Sequence, residues 1–445
     1  MKKILILGAG LSATCMIEYL LEHSEKYDWQ IQLGDIDEEA AIRKVGNHPR
    51  ARAFRFDIQE SDNIASILQG MDLVVSMLPA RFHDLITAEC LKQGIHMATA
   101  SYVSPYMKSI EDEVKEKGLT FLNELGVDPG IDHMSAMQII DRIHSRGGEV
   151  TAFFSFTGGL VAPESDDNPW NYKFTWNPRN VVLAGQGVSQ YIMRGRYKYI
   201  PYHKLFERFM MRNVLNLGDF EVYPNRDSLK YRKIYGMDNI GTMYRGTMRR
   251  PGYCDAWNVF VQLGCTDDTF TIENSENLTY RDFFNTFLRY DLVKPVEDKL
   301  CEYLHLEPDG EIMRKLSWLG VFENRMIGLK NATPAQILQK LLEEKLSLNA
   351  NDKDMIVMQH EIEYTLENQS YKITSAMGFI GRDTVHTAMA VTVGTPLAIA
   401  IKLLLTGEIT TKGVIIPIKP DVYEPILAEL VEYGIKFEEK EEVLA

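Results

Sequence analysis

Ile4-Leu5-Ile6-Leu7-Gly8-Ala9-Gly10-Leu11-Ser12-Ala13 is an apolar run that ends in a GxGxxA turn and opens a helix. The spacing predicts a buried strand, a glycine turn and a helix from Ser12 to His23, with Ile17, Leu20 and Leu21 on one face. Gly8 permits the tight turn. Gly10 lets backbone approach a pyrophosphate, and Ala13 lets the helix pack close to the sheet. The same residues, behind Met1-Lys2-Lys3 and ahead of Cys15, also have the outline of a short signal peptide. The strand reading is preferred, because two glycines weaken a signal helix and an acid-ended second strand follows at the expected distance. That strand is Gln30 to Leu33, ending in Gly34-Asp35. Ala53 to Phe56, ending in Asp57, and Leu73 to Leu78, ending in Pro79, extend the pattern. A helix from His83 to Gln93, a strand from His96 to Thr99, a helix from Pro105 to Lys117 and a strand from Thr120 to Asn123 complete it. Strand and helix in alternation mean a doubly wound parallel sheet of Rossmann type, with right-handed crossovers.

Beyond Gly126 the texture changes. Asp128-Pro-Gly-Ile-Asp132 starts a helix that ends near Arg146. Residues 149–275 read as longer strands around a polar loop, Gly158 to Tyr172. Residues 276–350 are helical, with Thr333-Pro334 as N-cap and first helical residue. Met355 to Tyr364 and Tyr371 to Ala376 read as a hairpin, and helices return after Asp383.

The 445 residues are 45% hydrophobic and 25% charged, a composition that excludes collagen-like and largely disordered classes. The net charge of −14 repels nucleic acid and anionic lipid, so neither is an expected partner. Cys15, Cys90, Cys254, Cys265 and Cys301 are odd in number and form no CxxC pair, which fits a reducing, cytoplasmic setting. The most apolar stretch, Thr387 to Ile401, reads as too short to span a bilayer and contains Gly394 and Pro396. No HExxH, Cys/His cluster or paired-Asp motif appears, so no metal is expected.

Asp35 is placed to accept hydrogen bonds from the adenosine ribose and to repel a 2′-phosphate. NAD is therefore the expected cofactor, with NADP possible because Arg43 lies a turn or two away. Asp57 is placed either to meet the adenine edge or to cap a helix from Ile58 to Leu68. Ser101-Tyr102 and Asn123 to Asp128 follow two consecutive strands, so a phenol and a carboxylate meet at the ligand edge of the sheet. Asp132 reads as a cap. His133, inside the predicted helix, is a weaker candidate for chemistry, and His360 and His386 (the latter on a helix) are expected to have structural partners.

GVDPGIDHMSA from Gly126, TGGLVAPESDDNPWNYKFTW from Thr157 to Trp176, YPNRDS from Tyr223 to Ser228 and YRGTMRRPGY from Tyr244 to Tyr253 resemble the glutamate-forming saccharopine dehydrogenases, in order along the chain. The resemblance implies three parts. Residues 1–125 and 391–445 would form the Rossmann domain. Residues 126–275 and 351–390 would form a mixed α/β domain for substrate binding and dimerisation, and 276–350 a small helical insertion. It implies an oxidoreductase of lysine metabolism that interconverts saccharopine with L-glutamate and L-2-aminoadipate 6-semialdehyde, as a homodimer. Saccharopine carries three carboxylates. Arg226 and Arg245 are similar to the family's carboxylate-binding arginines, with Gly246 and Thr247 as further donors. Ala9, Gly10, Leu11, Ser12, Asp57, Leu78, Val127 and Pro129 would line the cofactor. Ser101, Tyr102 and Asp128 would sit where cofactor and substrate meet, with Asp128 and Tyr102 moving protons. The resemblance also implies that the loop Gly158 to Tyr172 closes over substrate. One departure is Thr157, where a family member has cysteine: a threonine hydroxyl will not ionise.

Two rival readings remain. One is a reductase of the carboxynorspermidine or carboxyspermidine type, which would need acids where glutamate needs Arg226 and Arg245. The other is a regulatory NAD-binding protein without turnover, against which the arginine pair and the Tyr102/Asp128 pair argue.

Overall fold

A computed structural model describes residues 1–60 and 64–444, and the chain divides into two compact units. Unit one comprises 1–146 and 381–436; unit two comprises 147–380 and 437–445.

Unit one is built on a seven-stranded, all-parallel sheet. Its strands are β1 (Lys2–Leu7), β2 (Trp29–Asp35), β3 (Ala51–Arg55), β4 (Leu73–Ser76), β5 (His96–Ala98), β6 (Thr120–Leu122) and a final strand, Gly413–Ile415. The order is the last strand, then β6, β5, β4, β1, β2, β3. The order reverses between β1 and β4, the place where doubly wound sheets open a ligand crevice at their carboxyl edge. Leu5, Leu7, Val74, Met97 and Phe121 of the strands pack against Ile86, Cys90 and Val114 of the helices in one core. The first helix begins as a short 3-10 turn, Leu11–Ala13, and continues as Thr14–His23. The expected helix from Pro105 is two helices, Pro105–Ser109 and Glu111–Glu116. Of the expected helix Ile58 to Leu68, Ile64–Leu68 is helical, and residues 61–63 lie outside the described residues.

Helix Ala388–Thr406 extends past the stretch noted in the sequence. At 19 residues it is long and apolar enough to cross a membrane by length and composition, yet 72% of that window is buried inside the protein. It packs on the first helix: a methyl group on Gly394 would lie 2.7 Å from the Met16 amide nitrogen, so only glycine permits this approach.

Unit two is built on a nine-stranded mixed sheet of β7 (Glu149–Val161), β8 (Val188–Met193), β9 (Arg196–Pro201), β10 (Met210–Asn213), β11 (Asp219–Pro224), β12 (Thr242–Arg249), β13 (Asp354–Leu366), β14 (Gln369–Ile380) and a last strand, Glu438–Val443. The main path runs β10-β11-β12-β7-β13-β14-last strand, with β8 on β12 and β9 on β8. Only β7 and β12 pair in parallel; every other pair is antiparallel.

The division departs from the sequence-based boundaries in four places. Residues 381–390, expected in the substrate-binding domain, belong to unit one. Helix Ile131–Ser145 belongs to unit one, where Tyr423 donates to Asp141 at 2.7 Å. The C-terminal strand belongs to unit two because it pairs along β14. Residues 276–350 do not stand apart, since helices Tyr280–Thr286, Glu311–Leu319 and Pro334–Leu346 share one core with Trp170, Tyr253 and Trp257. Thr333 caps the last of these with Gln336 in a capping box.

Candidate functional site

The glycine turn of unit one sits between the ends of β2 and β4. Gly8 donates to the Gly34 carbonyl at 2.8 Å, and Met77 donates to the Leu7 carbonyl at 2.8 Å. Gly8 has φ +107°, and a methyl group on it would lie 2.8 Å from the Met77 carbonyl oxygen. Gly10 is the opposite case. Its φ is −62° and a methyl group there would meet nothing within 4 Å. The open space over Gly10, beside the first N–H groups of a helix, fits the requirements of a pyrophosphate, and a Cβ would fill it. Asp35 closes the turn from the side. One carboxylate oxygen accepts from Ala9 N–H at 2.5 Å and the other from Asp37 N–H at 2.9 Å. Arg43 lies 3.7 Å from both Asp37 and Glu39, with an exposed side chain. Leu11 is exposed, Ser12 and Leu78 are half-buried, and Ala9 and Val127 are buried. Asp57 is engaged by its own turn, accepting from Gln59 N–H at 2.9 Å, and caps no described helix.

At the ends of β5 and β6 the chain makes two linked loops. Glu124 N–H donates to the Ser101 carbonyl at 3.0 Å. The buried Glu124 carboxylate accepts from Val103 N–H at 3.1 Å and lies 2.8 Å from His133 Nε2. His133 is thus a buried structural partner of Glu124. Gly126 donates to the Pro129 carbonyl at 2.8 Å, and Asp132 accepts from Gly130 N–H at 2.7 Å. Asp132 therefore braces the turn, while Gly130 occupies the helix N-cap position. Gly130 has φ +147°, and a methyl group there would lie 2.0 Å from the Gly126 carbonyl oxygen. This turn presents Asp128, half-buried beside Pro129, and Tyr102 Oη donates to Asp128 Oδ1 at 3.2 Å. The phenol and carboxylate named from sequence do meet.

Sequence reasoning missed the group behind Ser101. His83, the first residue of helix His83–Gln93, is buried, with Nδ1 2.8 Å from Ser76 Oγ and Nε2 2.8 Å from Ser101 Oγ. Burial lowers its pKa from an ordinary 6.5 to about 4, so the imidazole is neutral. Its position just after the Pro79 turn that ends β4 was the available signal.

In unit two, β11 pairs with β12 so that Tyr223 faces Thr247 and Pro224 faces Gly246, and β7 places Thr157 opposite Thr247 and Ser155 opposite Arg245. Arg245 is buried, its guanidinium 4.6 Å from the centre of the Tyr231 ring, and its N–H donates to Ser228 Oγ at 2.9 Å. Asn225 N–H donates to the Arg245 carbonyl at 2.8 Å, which draws the segment carrying Arg226 alongside. Arg226 itself is exposed, at φ +47°, and its carbonyl accepts from Gln190 N–H. Gly246 leaves no room for a side chain, since a methyl group would lie 2.4 Å from Val222. Thr157 is buried and its hydroxyl has no hydrogen-bond partner among the described residues.

Arg249, two residues past Thr247 on the same face, was also missed. Its buried guanidinium lies 5.2 to 5.9 Å from the ring centres of Tyr172, Tyr223 and Tyr253, and no carboxylate among the described residues pairs with it. The loop expected to be mobile is anchored. β7 continues to Val161, Trp170 and Tyr172 are buried, and the Trp170 indole donates to the Lys315 carbonyl at 3.0 Å. Lys173, also buried, pairs with Asp352 at 2.7 Å. His386 precedes helix Ala388–Thr406 rather than lying on it, paired with Asp383 and Glu18.

A parallel sheet with a glycine cradle over its first helix and an acid closing its second strand defines unit one as a dinucleotide-binding Rossmann domain. Residues 4–122 match the family model described as the saccharopine dehydrogenase NADP binding domain, and residues 126–435 match the saccharopine dehydrogenase C-terminal domain. The chain belongs to the saccharopine dehydrogenase family. It is 30% identical to "Saccharopine dehydrogenase [NADP(+), L-glutamate-forming]" of Saccharomyces cerevisiae, over 99% of both chains. It is 34% identical to "Alpha-aminoadipic semialdehyde synthase, mitochondrial" of Rattus norvegicus, over 98% of this chain and 47% of that one. The chain thus spans about half the length of that synthase and of its bovine and mouse counterparts. The solved apo saccharopine dehydrogenase (L-Glu forming) of Saccharomyces cerevisiae superposes with a TM-score of 0.88 at 29% identity, over 99% of this chain and all of that one.

Proposed function

We propose that the chain interconverts saccharopine with L-glutamate and L-2-aminoadipate 6-semialdehyde, as an oxidoreductase of lysine metabolism. The observation that carries this is the end-to-end correspondence with the yeast protein of that name, 99% of each chain. The site geometry supports it. A bound nicotinamide dinucleotide supplies or accepts hydride; the open space over Gly10 and the brace from Asp35 fit such a group. The residues of this chain have three tasks. Arg226 and Arg245 bind substrate carboxylates, helped by the Gly246 backbone and the Thr247 hydroxyl; the Tyr231 ring fixes the plane of the Arg245 guanidinium. Orientation of the substrate nitrogen and carbon is the second task and carries a large share of the rate. Asp128 and Tyr102 perform the third, moving protons as glutamate amine adds to the aldehyde and water departs. Thr157 orients substrate through its hydroxyl and takes no part in acid–base chemistry. The working state is a cytoplasmic homodimer.

NADP is the cofactor named by the yeast relative and by the matching family model. Asp35 favours a second reading, NAD, because its carboxylate is held at the end of β2 where it repels a 2′-phosphate. The test offers purified protein saccharopine and carboxynorspermidine, each with NAD and with NADP. Turnover of saccharopine is expected; turnover of carboxynorspermidine alone would overturn the reading.

A further inference from the structure

The string Ser76, His83, Ser101 has only one satisfied polarity. A neutral imidazole donates from one nitrogen and accepts at the other. Each neighbour is a hydroxyl, able to do either, so the ring alone does not decide. Ser76 does. It lies at the end of β4, fully buried, and among the described residues the His83 nitrogen is the only partner of its hydroxyl. If His83 donated from Nδ1, the Ser76 proton would point into the core unpaired, with the full desolvation penalty of a buried donor. Ser76 therefore donates to Nδ1, and the ring proton resides on Nε2 and is given to Ser101 Oγ. Ser101 Oγ then accepts from the ring and keeps its own proton to donate elsewhere. Its backbone is fixed on both sides, the N–H on Thr99 Oγ1 at 3.2 Å and the carbonyl under Glu124 N–H at 3.0 Å. The side chain is half-buried at the carboxyl edge of the sheet, next to Tyr102 and its bond to Asp128.

We propose that His83 is a positioning residue that, locked by Ser76, aims the Ser101 hydroxyl proton at an acceptor oxygen of the bound ligand. Building on the dehydrogenase reading above, two sources of that oxygen are at hand: a saccharopine carboxylate and the carboxamide of the nicotinamide. A hydroxyl whose proton is directed at the ligand favours an anionic or carbonyl oxygen there over a ligand ammonium group. Ser101 would thereby contribute to specificity as well as to binding.

The test has two arms. Full-length protein labelled with nitrogen-15 histidine gives the tautomer of each ring by NMR, with His83 assigned from the signal lost in His83→Gln. A proton on Nε2 and a bare Nδ1 at neutral pH are expected; a proton on Nδ1, or on both nitrogens, overturns the proposal. This arm needs no turnover, so it stands even if saccharopine is not the substrate. The second arm compares His83→Leu and His83→Gln in the wild-type and Ser101→Ala backgrounds. His83→Leu is expected to raise KM for saccharopine, or to weaken dinucleotide binding, by about tenfold, the scale of one oriented hydrogen bond. Which of the two parameters moves identifies the source of the oxygen. His83→Gln, whose amide N–H can still reach Ser101, restores most of the loss, and with Ser101→Ala in place neither substitution adds a further defect. An equal effect of His83→Leu with and without the Ser101 hydroxyl would assign His83 a purely structural part. If His83→Leu does not fold, His83→Gln and the tautomer decide.

Discussion

Substituting alanine at Gly8 and at Gly10 separates the fold of the glycine turn from its use. The two residues are two positions apart, and the structure assigns them opposite costs. At Gly8 the new methyl group meets backbone: 2.8 Å from the Met77 carbonyl oxygen and 2.9 Å from its carbon, at φ +107°. The strained dihedral alone costs about 1–3 kcal/mol. The contact adds to that, because the end of β4 cannot withdraw without breaking the Met77 to Leu7 hydrogen bond. Gly8→Ala should therefore lower the unfolding midpoint of unit one by several degrees or prevent accumulation of folded protein. At Gly10, with φ −62° and nothing within 4 Å, alanine is tolerated. It should leave stability unchanged or raise it by up to about 1 kcal/mol through the unfolded chain. The methyl group occupies the space over the cradle, so dinucleotide affinity should fall about tenfold or more. Thermal unfolding and titration with the reduced dinucleotide, read by its fluorescence, measure both quantities. A Gly10→Ala protein that is as stable as wild type and binds dinucleotide equally well would refute the assignment of this turn as the phosphate cradle.

Three further outcomes follow from the geometry. Asp128→Ala and Tyr102→Phe should each slow saccharopine turnover by about 10²- to 10⁴-fold, the usual share of a positioned acid or base, with dinucleotide affinity nearly intact; unchanged turnover in both would remove the pair from the chemistry. All five thiols are held above their ordinary pKa, chiefly by burial, Cys15 to about 11. Native protein at pH 8 should accordingly react slowly with a disulfide reagent and fully only once denatured; a thiol that reacts within seconds would contradict this. The pKa of His83 is depressed from 6.5 to about 4, so the unfolded chain binds its proton first as pH falls. The stability this confers is complete above 6.5 and is lost as pH falls through 4, a change on the order of 3 kcal/mol. Urea titrations at pH 7 and near pH 4 should show a smaller acid loss in His83→Gln than in wild type; an equal loss would place the acid sensitivity elsewhere.

Much of unit one was legible because its signals are local. Apolar runs ending in Gly8, Asp35 and Pro79 mark strand ends, and strand ends are where this fold collects ligands. Tyr102 and Asp128 could be paired from sequence for the same reason: each follows a strand of one parallel sheet, and the register is forced. The Ser76–His83–Ser101 string was not legible, because nothing in a lone histidine at a helix start reveals which hydroxyls it bridges. In unit two, Arg245 and Thr247 could be named from the resemblance carried by YRGTMRRPGY, but the sequence could not show that Arg245 stacks on Tyr231 while Arg249 is enclosed by three tyrosines. The loop after β7 misled for a compositional reason. Glu164, Asp166 and Asp167 advertise solvent, while the anchors, Trp170 and Tyr172, are held by partners far along the chain. The domain boundaries failed similarly, since strand Glu438–Val443 joins its sheet through pairing that no local pattern announces.

The most direct test of the central claim is incubation of the purified protein with saccharopine and either NADP or NAD, following the reduced nicotinamide and identifying the products by mass spectrometry. The account predicts one glutamate and one aminoadipate semialdehyde for each cofactor reduced. No reduction with either cofactor, or products other than that pair, would contradict it.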